Sequence, residues 1–170
     1  RYGKVLYALV KHMGAEKMLE IGTSLGISAA YLASANPAAR LLTLEGNPAA
    51  AAKAAELHKT LGLQNITIET GNFNTSLQPA LDKLERLDLA FIDGNHTRQA
   101  TLAYFEACLH YVHQDSVLIF DDIYWSPGMT QAWEHIKAHP QVKVSIDIYQ
   151  FGLVFFRKQN LAKEDFVLWY

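Results

Sequence analysis

The sequence predicts an α/β fold: a doubly wound, mostly parallel sheet of seven strands with an antiparallel last strand. Three observations predict it. Short runs rich in Val, Ile and Leu alternate with longer helical stretches, the mark of repeated strand–helix–strand units. Two runs, Leu-Asp-Leu-Ala-Phe-Ile at 87–92 and Val-Leu-Ile-Phe at 117–120, are nearly continuous in apolar residues, as strands covered on both faces by helices must be. The last two runs are joined only by a Gly-containing link at 150–152, too short for a parallel crossover, so they form an antiparallel hairpin.

Taken in order, a helix up to Met13 leads into a strand at 17–21 and a helix at 27–35. A strand at 41–45 and a helix at 48–61 follow, then a strand at 66–70 and a helix at 75–84. The two apolar strands at 87–93 and 116–121 are central and flank a helix at 97–112. A helix at 127–138 precedes the closing strands at 143–148 and 153–157, and the antiparallel last strand is placed at the sheet edge. No repeat, low-complexity tract or Pro/Gly/Ser linker interrupts this order, so residues 1–170 read as one domain.

Composition narrows the function. Half of the residues are hydrophobic, enough for a continuous core in a chain of this length. Lys and Arg number 15 against 17 Asp and Glu, which leaves no basic surplus for a phosphate backbone or an anionic membrane. No apolar run reaches the roughly 20 residues of a spanning helix, and a single cysteine, Cys108, in an apolar-periodic stretch excludes a disulfide framework. These features predict a cytoplasmic protein that binds neither nucleic acid nor membrane. The chain opens on Arg1 and not Met, so a preceding N-terminal segment is expected.

The first strand runs into Leu19-Glu20-Ile21-Gly22-Thr23-Ser24-Leu25-Gly26-Ile27-Ser28, a glycine turn that opens directly onto a helix. Glycines let the backbone approach a ligand and the helix start offers unpaired amides. The Gly-x-Gly-x-x-Gly spacing of a dinucleotide site and the Gly-Lys-Ser/Thr of a phosphate loop are both missing. Glu45 ends the second strand, where a carboxylate can accept two hydrogen bonds from a ribose diol. Asp93 and His96 follow the fourth strand, and Asp121 and Asp122 end the fifth. Three carboxylates on one rim repel one another unless a cation or proton intervenes, and a hard divalent cation such as magnesium suits oxygen ligands. His96, with an ordinary pKa of about 6.5, offers a neutral imidazole able to take a proton. Plainer roles are open for the same residues: helix capping or solvent exposure for Asp121, Asp122 and His96, and packing for Tyr124 and Trp125. The six other histidines, His58 among them, read as surface residues on helices or helix ends.

As a set, Leu-Glu-Ile-Gly-Thr-Ser-Leu-Gly-Ile-Ser, Thr-Leu-Glu-Gly-Asn-Pro, Gly-Asn-Phe, Phe-Ile-Asp-Gly-Asn-His and Ile-Phe-Asp-Asp-Ile-Tyr-Trp-Ser resemble class I S-adenosylmethionine-dependent methyltransferases. The likeness is to the catechol-type O-methyltransferases, in particular a bacterial group typical of Bacteroidetes, and it covers essentially the whole chain. It implies a Rossmann-like sheet, S-adenosylmethionine as cofactor and a small hydroxylated acceptor. It also implies that Glu20, Gly22, Thr23, Ser24, Gly26 and Ser28 bind the cofactor, the turn and Ser28 along its methionine portion. Glu45 and Gly46 would take the ribose, Asn72 and Phe73 the adenine. By the same resemblance Asp93 would border the cofactor and, with Asp121 and Asp122, hold the metal, while His96 would stand at the position of the base. The chain departs from the catechol type at two places: Asp122 stands where Asn is common, and His96 where a Lys acts as general base. Two readings of another class stay open: a catalytically idle cofactor-binding or protein-interaction domain, and a nicotinamide-dependent oxidoreductase, against which the missing dinucleotide spacing argues.

Overall fold

A computed structural model describes residues 2–159 and 162–169. The elements run α1 (Tyr2–Met13), β1 (Lys17–Ile21), α2 (Ile27–Ala35), β2 (Arg40–Glu45), α3 (Pro48–Thr60), β3 (Ile66–Thr70) and α4 (Phe73–Leu84). There follow β4 (Leu87–Ile92), α5 (Arg98–Leu109), β5 (Val112–Asp121), α6 (Pro127–Ala138), β6 (Val144–Asp147), β7 (Phe151–Phe155) and β8 (Glu164–Val167). They build one sheet in the order β3-β2-β1-β4-β5-β7-β6-β8.

The apolar strands bury alternate residues on opposite faces, as a period of two requires. On one face Met18, Leu89, Phe91, Val117 and Ile119 pack against Leu6 and Val10 of α1 and Leu32 of α2. On the other, Leu19, Ile21, Ala90, Ile92, Leu118 and Phe120 meet α4, α5 and α6 through Leu81, Phe105 and Trp133. Helix α3 lies against β2 and β3.

The sheet corrects the sequence reading in two respects. It has eight strands, not seven, because β8 pairs in parallel with β6 at the edge. The antiparallel strand expected at 153–157 is β7, which runs against both its neighbours as expected, but it is inserted between β5 and β6 and not at an edge. Gly152 makes that insertion possible, since a Cβ there would lie 2.7 Å from the Trp133 ring of α6. Smaller differences follow from capping. Asn72 caps α4 by accepting from the Asn74 amide, so the helix starts at Phe73 and not at 75. Helix α5 ends at Leu109 and the chain is already extended from Val112, where β5 begins beside Leu87.

The strand order reverses its direction of growth between β1 and β4. Crevices of this kind, at strand carboxyl ends, are where open α/β sheets take ligands.

Candidate functional site

The turn after β1 is held at the switch point by the sheet itself. The Gly22 and Thr23 amides donate to the Leu44 carbonyl at 2.9 and 3.1 Å, and the Gly26 amide donates to Thr23 O at 2.8 Å. The Ser24 amide donates to Glu45 Oε2 at 2.6 Å, which ties the turn directly to the acid at the end of β2. The other Glu45 oxygen accepts from the Asn47 amide at 2.8 Å. One oxygen each is thus engaged, and a carboxylate has lone pairs left for further donors. Gly26 precedes α2 and offers it no side-chain cap, which leaves the first amides of the helix for a ligand.

Thr23, Ser24, Ser28 and Asp93 line a cavity of about 520 Å³ that Asp121 also reaches. Its other wall comes from α1, α2, β4 and the hairpin, through Tyr2, Tyr31, Phe91, Gln150 and Phe151. Sequence reasoning did not single out these wall residues, because their convergence depends on packing between distant elements. Glu45, Gly46, Asn72 and Phe73 lie outside this cavity on the adjoining rim: the Gly71 amide donates to the Glu45 carbonyl, and Phe73 packs edge-on against Tyr104 at 6.2 Å. Glu20 is fully buried below the turn and touches the cavity only through others. Its Oε2 accepts from the Thr43 hydroxyl at 2.5 Å, which pairs with Thr23 Oγ1 at 2.6 Å, while Oε1 has no hydrogen-bond partner among the described residues. Burial pushes the Glu20 carboxyl up to about 7, against the pull of the Ser28 and Thr43 hydroxyls.

The predicted chemical residues also come together. His96 Nε2 lies 3.4 Å from Asp93 Oδ1, and its Nδ1 lies 4.0 Å from Asp122 Oδ2. Gln150, from the β6–β7 turn, donates its amide to Asp121 Oδ1 at 2.8 Å and to Asp122 Oδ1 at 2.6 Å. Burial and the neighbouring Asp93 charge raise the Asp121 carboxyl to about 7. The hydrogen bond to Asp93 raises His96 above its ordinary value in spite of partial burial, with Asp122 and Asp121 adding to the lift. Capping does not account for these residues. Thr97 caps α5 and Ser126 caps α6.

The backbone is strained where the site forms. Of the six non-glycine residues with positive φ among the described residues, Ser24, Asn95, His96, Asp122 and Tyr149 stand on this rim, and only Glu85 does not. Such conformations persist where their surroundings over-determine them, and they gather at functional sites. Trp125 is 71% exposed, whereas Tyr124, 43% exposed, pairs its ring with Tyr149 at 5.7 Å and donates its hydroxyl to Asp147.

The carboxylates suit a hard cation by chemistry, and the Asp93 charge adds to burial in raising the Asp121 carboxyl. As the side chains stand, no group of three or more His, Cys, Asp or Glu among the described residues is arranged to hold a metal ion.

Comparison with known proteins decides the family. Residues 19–123 match a family described as a methyltransferase domain. The chain belongs to this family. It is 32% identical over 133 residues to a catechol O-methyltransferase of Mycobacterium tuberculosis, a match covering 75% of the chain and 57% of the relative. A catechol O-methyltransferase of Bos taurus is 28% identical over 149 residues, covering 84% and 54%. The chain therefore spans little more than half the length of these two relatives. Among solved structures, an O-methyltransferase of Bacillus cereus in complex with S-adenosylhomocysteine superposes with a TM-score of 0.78 at 28% identity, over 91% of this chain and 80% of that one. An O-methyltransferase of Streptomyces achromogenes in complex with S-adenosylmethionine gives 0.79 at 25%, over 92% and 79%. Membership in a methyltransferase family sets aside the oxidoreductase alternative. Among the described residues, no helix is long and apolar enough to cross a membrane.

Proposed function

We propose that this protein is an S-adenosylmethionine-dependent methyltransferase that methylates a hydroxyl oxygen of a small molecule. The observation that carries the reading is the joining of two half-sites on one rim. Ser24 and Glu45 are bonded to each other at the ends of β1 and β2, and a carboxylate–histidine cluster stands beside them at the ends of β4 and β5. The two halves share the cavity through Asp93.

The cofactor supplies an electrophilic methyl group on a sulfonium, which passes to the acceptor oxygen by direct displacement. The protein's part is to align and to deprotonate. Glu45 takes the ribose hydroxyls on its remaining lone pairs, with Gly46 beside it. Thr23, Ser24 and Ser28 face the methionine end, with Gly22 and Gly26 shaping the turn and Glu20 setting the hydroxyls of Ser28 and Thr43 from below. Asn72 and Phe73 border the adenine side. Asp93 orients His96, whose ring receives the proton as the acceptor oxygen bonds to carbon. Asp93, Asp121 and Asp122 would hold a divalent cation, and such an ion would lower the pKa of the acceptor hydroxyl. The composition supports a cytoplasmic location, and the unbroken order of elements supports a single domain.

Calorimetric titration with S-adenosylhomocysteine tests the placement. Glu45→Ala should weaken binding by about 1.5–3 kcal/mol, the loss of hydrogen bonds to a charged group. Unchanged affinity in a folded variant refutes it. An acceptor screen run with magnesium and with chelator then separates the metal from the base. Turnover that survives both chelator and Asp122→Ala removes the metal from the mechanism.

A further inference from the structure

The turn between β1 and α2 is gripped from beneath by a residue of a third element. His58 of α3, which the sequence suggested was a surface residue, is only 5% exposed. Its Nε2 lies 2.8 Å from the Gly26 carbonyl oxygen. A carbonyl only accepts, so Nε2 carries the proton. The same oxygen takes the Ala30 amide at 3.0 Å, the first hydrogen bond of α2. Two donors from two helices therefore converge on the atom that opens the helix bearing Ser28.

The approach is possible only because residue 26 is glycine. It sits at φ +80°, and a Cβ there would lie 2.5 Å from His58 Nε2 and 2.8 Å from Ala54 Cβ. A buried imidazole costs free energy unless its N–H is matched, and this one is matched to a ligand-facing turn and to no other group at that nitrogen. Beyond the two amides that Leu44 O receives from Gly22 and Thr23, three bonds fix the turn: Gly26 N–H to Thr23 O, Ser24 N–H to Glu45, and His58 to Gly26 O. Ser24, at φ +48°, needs such restraint to keep its amide aimed at Glu45.

We infer that His58 is a positioning residue for the cofactor: by holding the Gly26 carbonyl it sets the turn that presents Ser24 and the first turn of α2 that presents Ser28. The inference rests on the placement of S-adenosylmethionine at this turn. Its alternative is that His58 only fills space, in which case an apolar side chain of similar volume would serve.

Three proteins separate these cases by calorimetric titration with S-adenosylhomocysteine: the wild type, His58→Leu and His58→Gln. His58→Leu keeps the volume and loses the donor; His58→Gln places an amide N–H at the same reach. Leucine should lose about tenfold or more in affinity, and glutamine should stay within about threefold of wild type, as for one hydrogen bond lost or kept. Equal affinity of His58→Leu and wild type, or equal losses in the two variants, overturns the inference. A wild type that does not bind the probe overturns the cofactor placement itself, which is a different failure. Imidazole ¹⁵N shifts of the wild type supply the reading if His58→Leu does not fold. A proton on Nε2, with a signal that moves on saturation with the probe, supports the role. A proton on Nδ1 alone, or a signal that does not move, refutes it.

Discussion

Strand β4 carries a carboxylate near each end, and the two are treated in opposite ways. Asp88, at the amino end, is surrounded by donors: the Glu16 and Lys17 amides at 2.8 Å each, His113 Nε2 at 2.9 Å and Arg86 Nε at 3.2 Å. Burial pulls its carboxyl upward, yet these partners outweigh burial and hold it below the ordinary range. Asp93, just past the carboxyl end, shares its rim with Asp121 and Asp122, and the donors there are one Gln150 amide and the His96 ring. There burial, and after it the neighbouring Asp93 charge, raise the Asp121 carboxyl against the pull of Gln150. One end of the sheet is satisfied, and the other is left short of donors. The difference teaches where stability ends and reactivity begins, since unsatisfied charge is a cost that a fold tolerates at a site with chemistry to perform.

The largest effect that could break this comparison belongs to the reactive end. His96→Ala should lower turnover by about a hundredfold, as removal of a general base does, with cofactor affinity and unfolding temperature nearly unchanged. Steady-state rates and thermal melts read both; a large drop in melting temperature would mean that His96 belongs to the scaffold.

The opposite end should behave oppositely. Asp88→Ala strands two backbone amides, His113 and Arg86, and should cost about 2–3 kcal/mol, or roughly 4–12 °C in melting temperature, with turnover per folded molecule unchanged. The sign of its pH dependence follows from the depressed carboxyl. The contribution is present above the unfolded value near pH 4 and is lost as pH falls through the folded value, so wild type and variant should converge in acid. A gap that widens in acid contradicts the assignment.

The smallest effect sharpens the contrast. Asp121 is raised on folding, so its stabilising share is complete below about pH 4 and is lost as pH rises through about 7. Asp121→Asn should therefore be more stable than wild type by about 1 kcal/mol at pH 8, after allowance for solvent screening, and by nothing measurable at pH 4. Thermal melts at both values decide it. A variant less stable at pH 8 would place Asp121 with Asp88 among the structural carboxylates.

The parts of this arrangement that were legible in the sequence are those written in local pattern. The turn from Gly22 to Gly26, Glu45 at the end of its strand, and the aspartates after β4 and β5 follow from strand ends and glycine spacing. The apolar runs of β4 and β5 announced a sheet covered on both sides. What was not legible depends on contacts between distant segments. Strand β8, Glu-Asp-Phe-Val, is exposed along its length and takes in only the start of the apolar run that begins at Phe166, so its own pattern does not reveal it. The insertion of β7 between β5 and β6 is a matter of strand order, about which periodicity is silent. Gln150 meets Asp121 across 29 residues of chain, and His58 meets Gly26 across 32. Neither carries a motif, and a histidine on a helix looks like solvent-facing polarity until its partner is seen.

The empty place at Gly152 has a consequence far from the ring that fills it. In the register of β5 and β7, Phe120 stands opposite Gly152 and Asp121 opposite Phe151. Sliding the hairpin by one residue would bring Phe151 or Leu153 to the position under Trp133, where there is no room for any side chain atom, and would reverse the faces of every residue in β7. Trp133 thus acts as a key that only one setting of the hairpin admits. Gln150 follows from that setting, in the turn two residues before Gly152. The aim of the amide that steadies the aspartates is decided in the dry interior of the opposite face, by an aromatic ring that never touches the rim.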